Sequence, residues 1–225
     1  MTDRIVVITG ATGKLGPEVA RRFADDGARL ALIARSADEV RMIQASLPGA
    51  PDTHVAVAAD LGSERGARTA AAAVREQLGP PVVLLHLIGG YAGGTTLEDA
   101  DERVWRDLFE RNFWTAFHVI RAFLPDIRAA EHGRIVTVST PLAATPVAGI
   151  GPYAASKAAV ETLTQIAARE FAGSTATANV VLVRTIGDGK PTSTRPEEIA
   201  DAMAWLASIE AGAINGQRIP LVGRS

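Results

Sequence analysis

The sequence has 225 residues, 47% of them hydrophobic, no cysteine, and 23 basic against 25 acidic side chains for a formal charge of −2. That length suits one domain with a full core, and the missing cysteines exclude a disulfide framework, a thiolate metal site, an iron–sulfur cluster and a thiol nucleophile. Charge of mixed sign gives a nucleic acid no reason to bind, no apolar run approaches the roughly 20 residues that span a bilayer, and the start Met1-Thr2-Asp3-Arg4 is unlike a secretory leader. The expectation is a soluble cytoplasmic protein with neither a nucleic-acid nor a membrane partner.

In chain order, residues 5–9 read as a strand. Leu15, Val19 and Phe23 then fall at i, i+4, i+8, and Gly27 stands where a helix would stop. Further strand-like runs are 30–34, 54–58, 82–88, 134–139, 179–183 and 217–221. Val104, Leu108 and the stretch from Phe117 to Leu124 predict a long central helix disturbed by Pro125, and Val160, Leu163, Ile166 and Ala167 form another apolar stripe. Residues 89–96 and 187–196 read as loops. The strands are mostly continuous apolar runs, as for strands covered on both faces. Their alternation with helices predicts an α/β fold, a doubly wound parallel sheet of about seven strands with helices on both faces. No linker or repeat divides the chain, so 1–225 is expected to be a single domain.

The first strand runs into Thr9-Gly10-Ala11-Thr12-Gly13-Lys14-Leu15-Gly16. A glycine-rich turn between a strand and a helix lets the backbone approach a pyrophosphate at a helix N-terminus. Gly10, Thr12, Gly13, Lys14, Leu15 and Gly16 are therefore the expected nucleotide cradle. The second strand ends Ile33-Ala34-Arg35-Ser36, without the carboxylate that binds an adenine ribose in NAD sites. Arg35 pairs with a 2′-phosphate or is simply solvated; the missing carboxylate favours NADP(H) over NAD(H). Asp60, with Leu61, is placed to receive the adenine amino group or is an exposed turn residue.

Tyr153-Ala154-Ala155-Ser156-Lys157 puts a phenol and one of only three lysines on one helix face. A free phenol titrates at about 10, and a nearby ammonium favours its anion and brings it toward working range.

Together these residues resemble the short-chain dehydrogenase/reductase family over nearly the whole chain. So do Asp60-Leu61, Asn112 within Arg111-Asn112-Phe113, the strand at 133–140, and Asn215-Gly216-Gln217-Arg218-Ile219-Pro220. The resemblance implies a Rossmann-like fold in which Tyr153 gives a proton to a carbonyl oxygen as hydride arrives from the nicotinamide. Lys157 would hold the ribose hydroxyls and depress the phenol's pKa, and Asn112 would hold a relay water. It also implies a homodimer or homotetramer through helices at 101–128 and 151–171. Trp114, Phe117, Phe123 and Phe171 would serve that interface or the core.

Four departures stand out. Lys14 occupies the usual second glycine's place, reaching a phosphate or solvent. His86-Leu87-Ile88-Gly89 replaces Asn-Asn-Ala-Gly, with His86 expected as a packed histidine satisfied by backbone rather than a base, and with Ile88 and Gly89 still lining the cofactor. The usual serine thirteen residues before the tyrosine is Thr140, preceded by Ser139. Only one of these adjacent hydroxyls can face the substrate, and register favours Thr140. Lastly, Val183-Arg184 replaces Pro-Gly, leaving Thr185 and Ile186 as the nicotinamide contacts and a short, mobile, poorly enclosing segment up to Pro196. The leading reading is an NADP(H)-dependent oxidoreductase interconverting a small-molecule carbonyl and alcohol. The alternatives are reduction of a conjugated or imine substrate, as in dihydropteridine reductases, and a non-catalytic NADP-binding sensor or subunit. No metal site is expected.

Overall fold

The computed structural model describes residues 3–50 and 52–223. Its strands and helices alternate: β1 (Ile5–Thr9), α1 (Gly16–Asp25), β2 (Arg29–Ala34), α2 (Ala37–Ser46), β3 (Val55–Ala58), α3 (Glu64–Gln77), β4 (Val83–His86), α4 (Glu102–Phe109), α5 (Thr115–Ala129), β5 (Arg134–Ser139), α6 (Gly151–Glu170), β6 (Thr177–Val183), β7 (Thr185–Ile186), β8 (Ser193–Thr194), α7 (Pro196–Leu206) and β9 (Arg218–Leu221). Seven strands form one parallel sheet in the order β3-β2-β1-β4-β5-β6-β9. The order reverses between β1 and β4, and the crevice at the C-terminal ends of those strands is where such sheets take ligands.

The period-2 alternation of each strand sorts side chains to two faces. Val6 and Ile8 of β1 join Leu30, Leu32, Leu85 and Val181 under α1 and α7 (Val19, Phe23, Ile199, Met203). Val7 of β1 joins Ala31, Ile33, Leu84 and Ile135 under α3, α5 and α6 (Ala70, Val74, Phe123, Ala167). Burial on both faces explains the unbroken apolar runs.

Two helix expectations are corrected. The central helix is not broken at Pro125, which lies inside α5. Beside it Arg75 donates to the Ala122 carbonyl (2.9 Å) and pairs with Asp126 (2.7 Å), tying this stretch to α3. The irregularity falls upstream, in a widened π turn over Glu110–Trp114 between α4 and α5. On α6 the stripe is not wholly apolar. Val160 and Ala167 are buried, but Ile166 is 47% exposed, and Ser156, Lys157, Glu161 and Thr164 share the buried face. Of the aromatic residues left open between interface and core, Phe123 and Phe171 are core, while Trp114 is 41% exposed.

Candidate active site

β1 leads into the glycine turn. Gly10 has φ +76°, the left-handed conformation a side chain would resist, and a Cβ on Gly16 would lie 2.0 Å from the Ala11 carbonyl oxygen. The turn thus packs back on itself where α1 begins, with Pro17 in the first helical turn.

A cleft of about 660 Å³ opens over this turn, within the range of small-molecule sites. Gly10, Thr12, Gly13, Arg35, Asp60, Leu61, Ile88 and Gly89 line it, together with Asp107, Glu110, Arg111 and Thr115. Arg35 is exposed and has no ion-pair partner among the described residues, and Ala34 beside it carries no charge. The donor set suits an anionic dinucleotide with a phosphate at the β2 end: backbone amides, the exposed Arg35 guanidinium, and no carboxylate at that strand end. Asp60 Oδ1 accepts from the Gly62 amide (3.1 Å), which fixes the carboxylate at the cleft edge.

Two expected cradle residues and both expected nicotinamide contacts have their side chains or carbonyl placed outside the cleft lining. Leu15 is buried in the core beneath α1, so its side chain does not meet a ligand. The exposed Lys14 ammonium donates to the Ile186 carbonyl. Thr185 and Ile186 therefore form a short ribbon with β8 outside the cleft lining, and the Ile186 carbonyl is already engaged. The segment expected to be loose is also tied by Gly187 N–H to the Thr194 carbonyl (3.0 Å) and by the buried Thr194 hydroxyl to the Leu221 carbonyl (2.6 Å). Small polar residues supply those anchors.

At the other end of the cleft, α6, β5 and the π turn bring the remaining groups together. Asn112 is fully buried in the π turn. Its Oδ1 accepts from the Gly90 amide (2.6 Å), and its Nδ2 donates to the Gly90 carbonyl (3.1 Å) and to Ser156 Oγ (2.9 Å). It braces the loop after β4 against α6, and both its donors are spent. Lys157 Nζ packs against Gly89 and donates to the Val138 carbonyl (3.0 Å). Burial lowers its pKa to about 8, against the raising effect of Glu161.

The adjacent hydroxyls of Ser139 and Thr140 diverge. Thr140 hydrogen-bonds the Tyr153 phenol, whereas Ser139 Oγ donates inward to Glu161 Oε1 (2.5 Å). The phenol itself is pushed above its ordinary value by burial, pulled down by Thr140 and pushed up again by Tyr91. The expectation that Lys157 depresses it is corrected for this state, because the ammonium is directed to the Val138 carbonyl.

His86 caps β4 in a different manner from that expected. Its Nδ1 meets the Thr9 hydroxyl (2.9 Å), not backbone, and Nε2 has no partner among the described residues. Burial, then the Lys157 charge, lower its pKa to about 3, so the imidazole is neutral and a poor base.

Four residues escaped the sequence reading. Tyr91 sets its ring edge-on to Tyr153, centroids 5.0 Å apart. Arg111 lines the cleft with its chain packed over Gly90. Glu161 and Arg218 form an ion pair (2.6 Å) behind Lys157. Only Glu161 had a local signal, standing four residues after Lys157 on the same helix.

A family model described as short chain dehydrogenase matches residues 4–189. The chain is 31% identical to meso-2,3-butanediol dehydrogenase of Serratia marcescens, over 98% of this chain and 94% of that protein. It is 29% identical to 2,3-dihydroxy-2,3-dihydro-p-cumate dehydrogenase of Pseudomonas putida, over 100% and 95%. Its fold superposes with a TM-score of 0.89 on the NADPH-bound short chain oxidoreductase of Pseudomonas aeruginosa PAO1 that has an atypical catalytic center, at 24% identity over 98% and 96% of the two chains.

Proposed function

Because the chain belongs to the short-chain dehydrogenase family of oxidoreductases, we propose that it interconverts a small-molecule carbonyl and an alcohol with NADP(H), with Tyr153 as proton donor and acceptor. The observation that carries the reading is the convergence of Tyr153, Thr140 and Lys157 at the end of the glycine-lined cleft. When bound there, the nicotinamide supplies or takes the hydride.

The chain's own groups do the rest. Thr140 and Tyr153 present two hydroxyls to one carbonyl oxygen, and hydrogen bonds aimed at a developing oxyanion are worth most in a water-poor site. The phenol's raised pKa keeps it protonated at neutral pH, so it acts as the acid in reduction and must lose its proton before oxidation. Arg35 would meet the 2′-phosphate, and Lys157, against Gly89, would meet the ribose hydroxyls. A homodimer or homotetramer belongs to the same reading. With Phe123 and Phe171 in the core, Trp114 and the half-buried Phe117 are left to serve its interface.

The test is NADPH oxidation across a panel of aldehydes, ketones and diketones, with Tyr153→Phe as control. Turnover should fall by at least about 10²-fold in the variant. Undiminished turnover would move the proton to another group and defeat the assignment.

A further inference from the structure

Behind the lysine lies a buried acid that the proposed chemistry does not use. Lys157 and Glu161 are one turn apart on α6, 6% and 5% exposed. Both carboxylate oxygens of Glu161 are occupied from other elements. Ser139 of β5 donates to Oε1 at 2.5 Å, and Arg218 Nε of β9 lies 2.6 Å from Oε2 as an ion pair without hydrogen-bond alignment. Burying the Glu161 carboxylate costs desolvation that a packed aliphatic residue would avoid, while its partner Arg218 stays one-third exposed.

We propose that Glu161 is a positioning residue, a buried carboxylate pinned by Ser139 and Arg218 that supports the Lys157 ammonium from inside the protein. Among the described residues, the groups facing the lysine leave it no other anion. β4 offers neutral His86, the π turn offers the Asn112 amide, and β5 offers the Val138 carbonyl. Tyr153 on its own helix is protonated, and the cation Arg218 faces Glu161. Burial drives the lysine toward its neutral form, and Glu161 opposes that drive. Arg218 tempers the acid's charge from the sheet edge, where it pairs with Val180 of β6. The C-terminal strand is thereby coupled to a lysine at the nucleotide cleft. Ser139, adjacent to the substrate-facing Thr140, acts here by orienting Glu161.

The inference rests on the proposed function only for the role it gives Lys157, and its test does not require turnover. With only three lysines in the chain, ¹³Cε-lysine NMR can follow Lys157 through a pH titration, assigned with Lys157→Arg. In Glu161→Gln the Lys157 midpoint should fall by about one pH unit or more, since an opposite charge one helical turn away has been removed from a buried site. In Arg218→Met it should rise, since the acid is left uncompensated. Opposite shifts of this kind do not follow from loosened packing. A midpoint that stays put in either variant, or moves the same way in both, overturns the proposal. If Glu161→Gln fails to fold, the direction in Arg218→Met decides alone. Should the wild-type protein reduce no carbonyl, the functional reading fails while the titration still answers this question. Where a carbonyl is reduced, the alkaline limb of the pH–rate profile should move to lower pH in Glu161→Gln and to higher pH in Arg218→Met.

Discussion

Two neighbouring hydroxyls, Ser139 and Thr140, show how one residue of register separates chemistry from support. Thr140 meets the phenol and Ser139 meets Glu161. Thr140→Val keeps the shape and deletes the donor, so it should cost ~2–4 kcal/mol of transition-state stabilisation, read as kcat/KM. Ser139→Ala strands a carboxylate oxygen, so it should lower unfolding free energy by ~1–3 kcal/mol in a denaturant titration, with a smaller effect on turnover. The reverse ranking in kcat/KM would put Ser139 at the substrate. The proposed NADP(H) preference rests on Arg35 by the same kind of local argument. Arg35→Asp exchanges a free cation for an anion at the end of β2, and NADPH affinity should drop below NADH affinity in a fluorescence titration. A wild-type protein binding both equally would contradict the NADP(H) reading.

Among the elements, α1 and the turn before it tolerate the least change. A Cβ on Gly16 would lie 2.0 Å from the Ala11 carbonyl oxygen, which is backbone and cannot swing aside. Gly16→Ala should therefore push α1 away from the turn, costing ~1–3 kcal/mol as overpacking does. NADPH affinity should fall with it, because the same turn lines the cleft. Thermal melts and NADPH titration of the variant would show both losses; intact affinity would mean the turn shifts without disturbing the cleft. The ribbon of β7 and β8 is held by hydrogen bonds from Lys14 and Thr194 and by Ile186 packed against the core.

For the whole molecule, the buried His86 sets a direction for acid stability. Its folded pKa of about 3 lies below the ordinary 6.5, so between these values the unfolded chain binds the proton and the native state does not. This contribution is full above about 6.5, and stability is lost as pH falls through the window toward 3. The loss is of order several kcal/mol, at ~1.4 kcal/mol per pH unit. His86→Asn keeps a polar partner for Thr9 without titrating, and the pH dependence of its unfolding free energy from 6.5 to 3 should flatten by about one proton. An unchanged slope would show that other groups govern acid unfolding.

The local pattern determined much of this. Buried strands leave continuous apolar runs, so β1 and β5 fall on the residues expected of them, and the short helix α1 follows its i, i+4, i+8 spacing to a glycine stop. Tyr153 and Lys157 were legible because one helix turn brings them together, and the cleft glycines because a strand-to-helix turn needs them. Pro125 misled because helix propensity is a local quantity, and packing of α5 on α3 overrode it. What only the tertiary structure decided lies between residues far apart in sequence: Lys14 on Ile186, Tyr91 on Tyr153, Asn112 on Gly90, Arg218 on Glu161. Such pairs have no period and no spacing rule. The sheet order sets their distances, and the direction of each buried charge follows from what the fold places beside it.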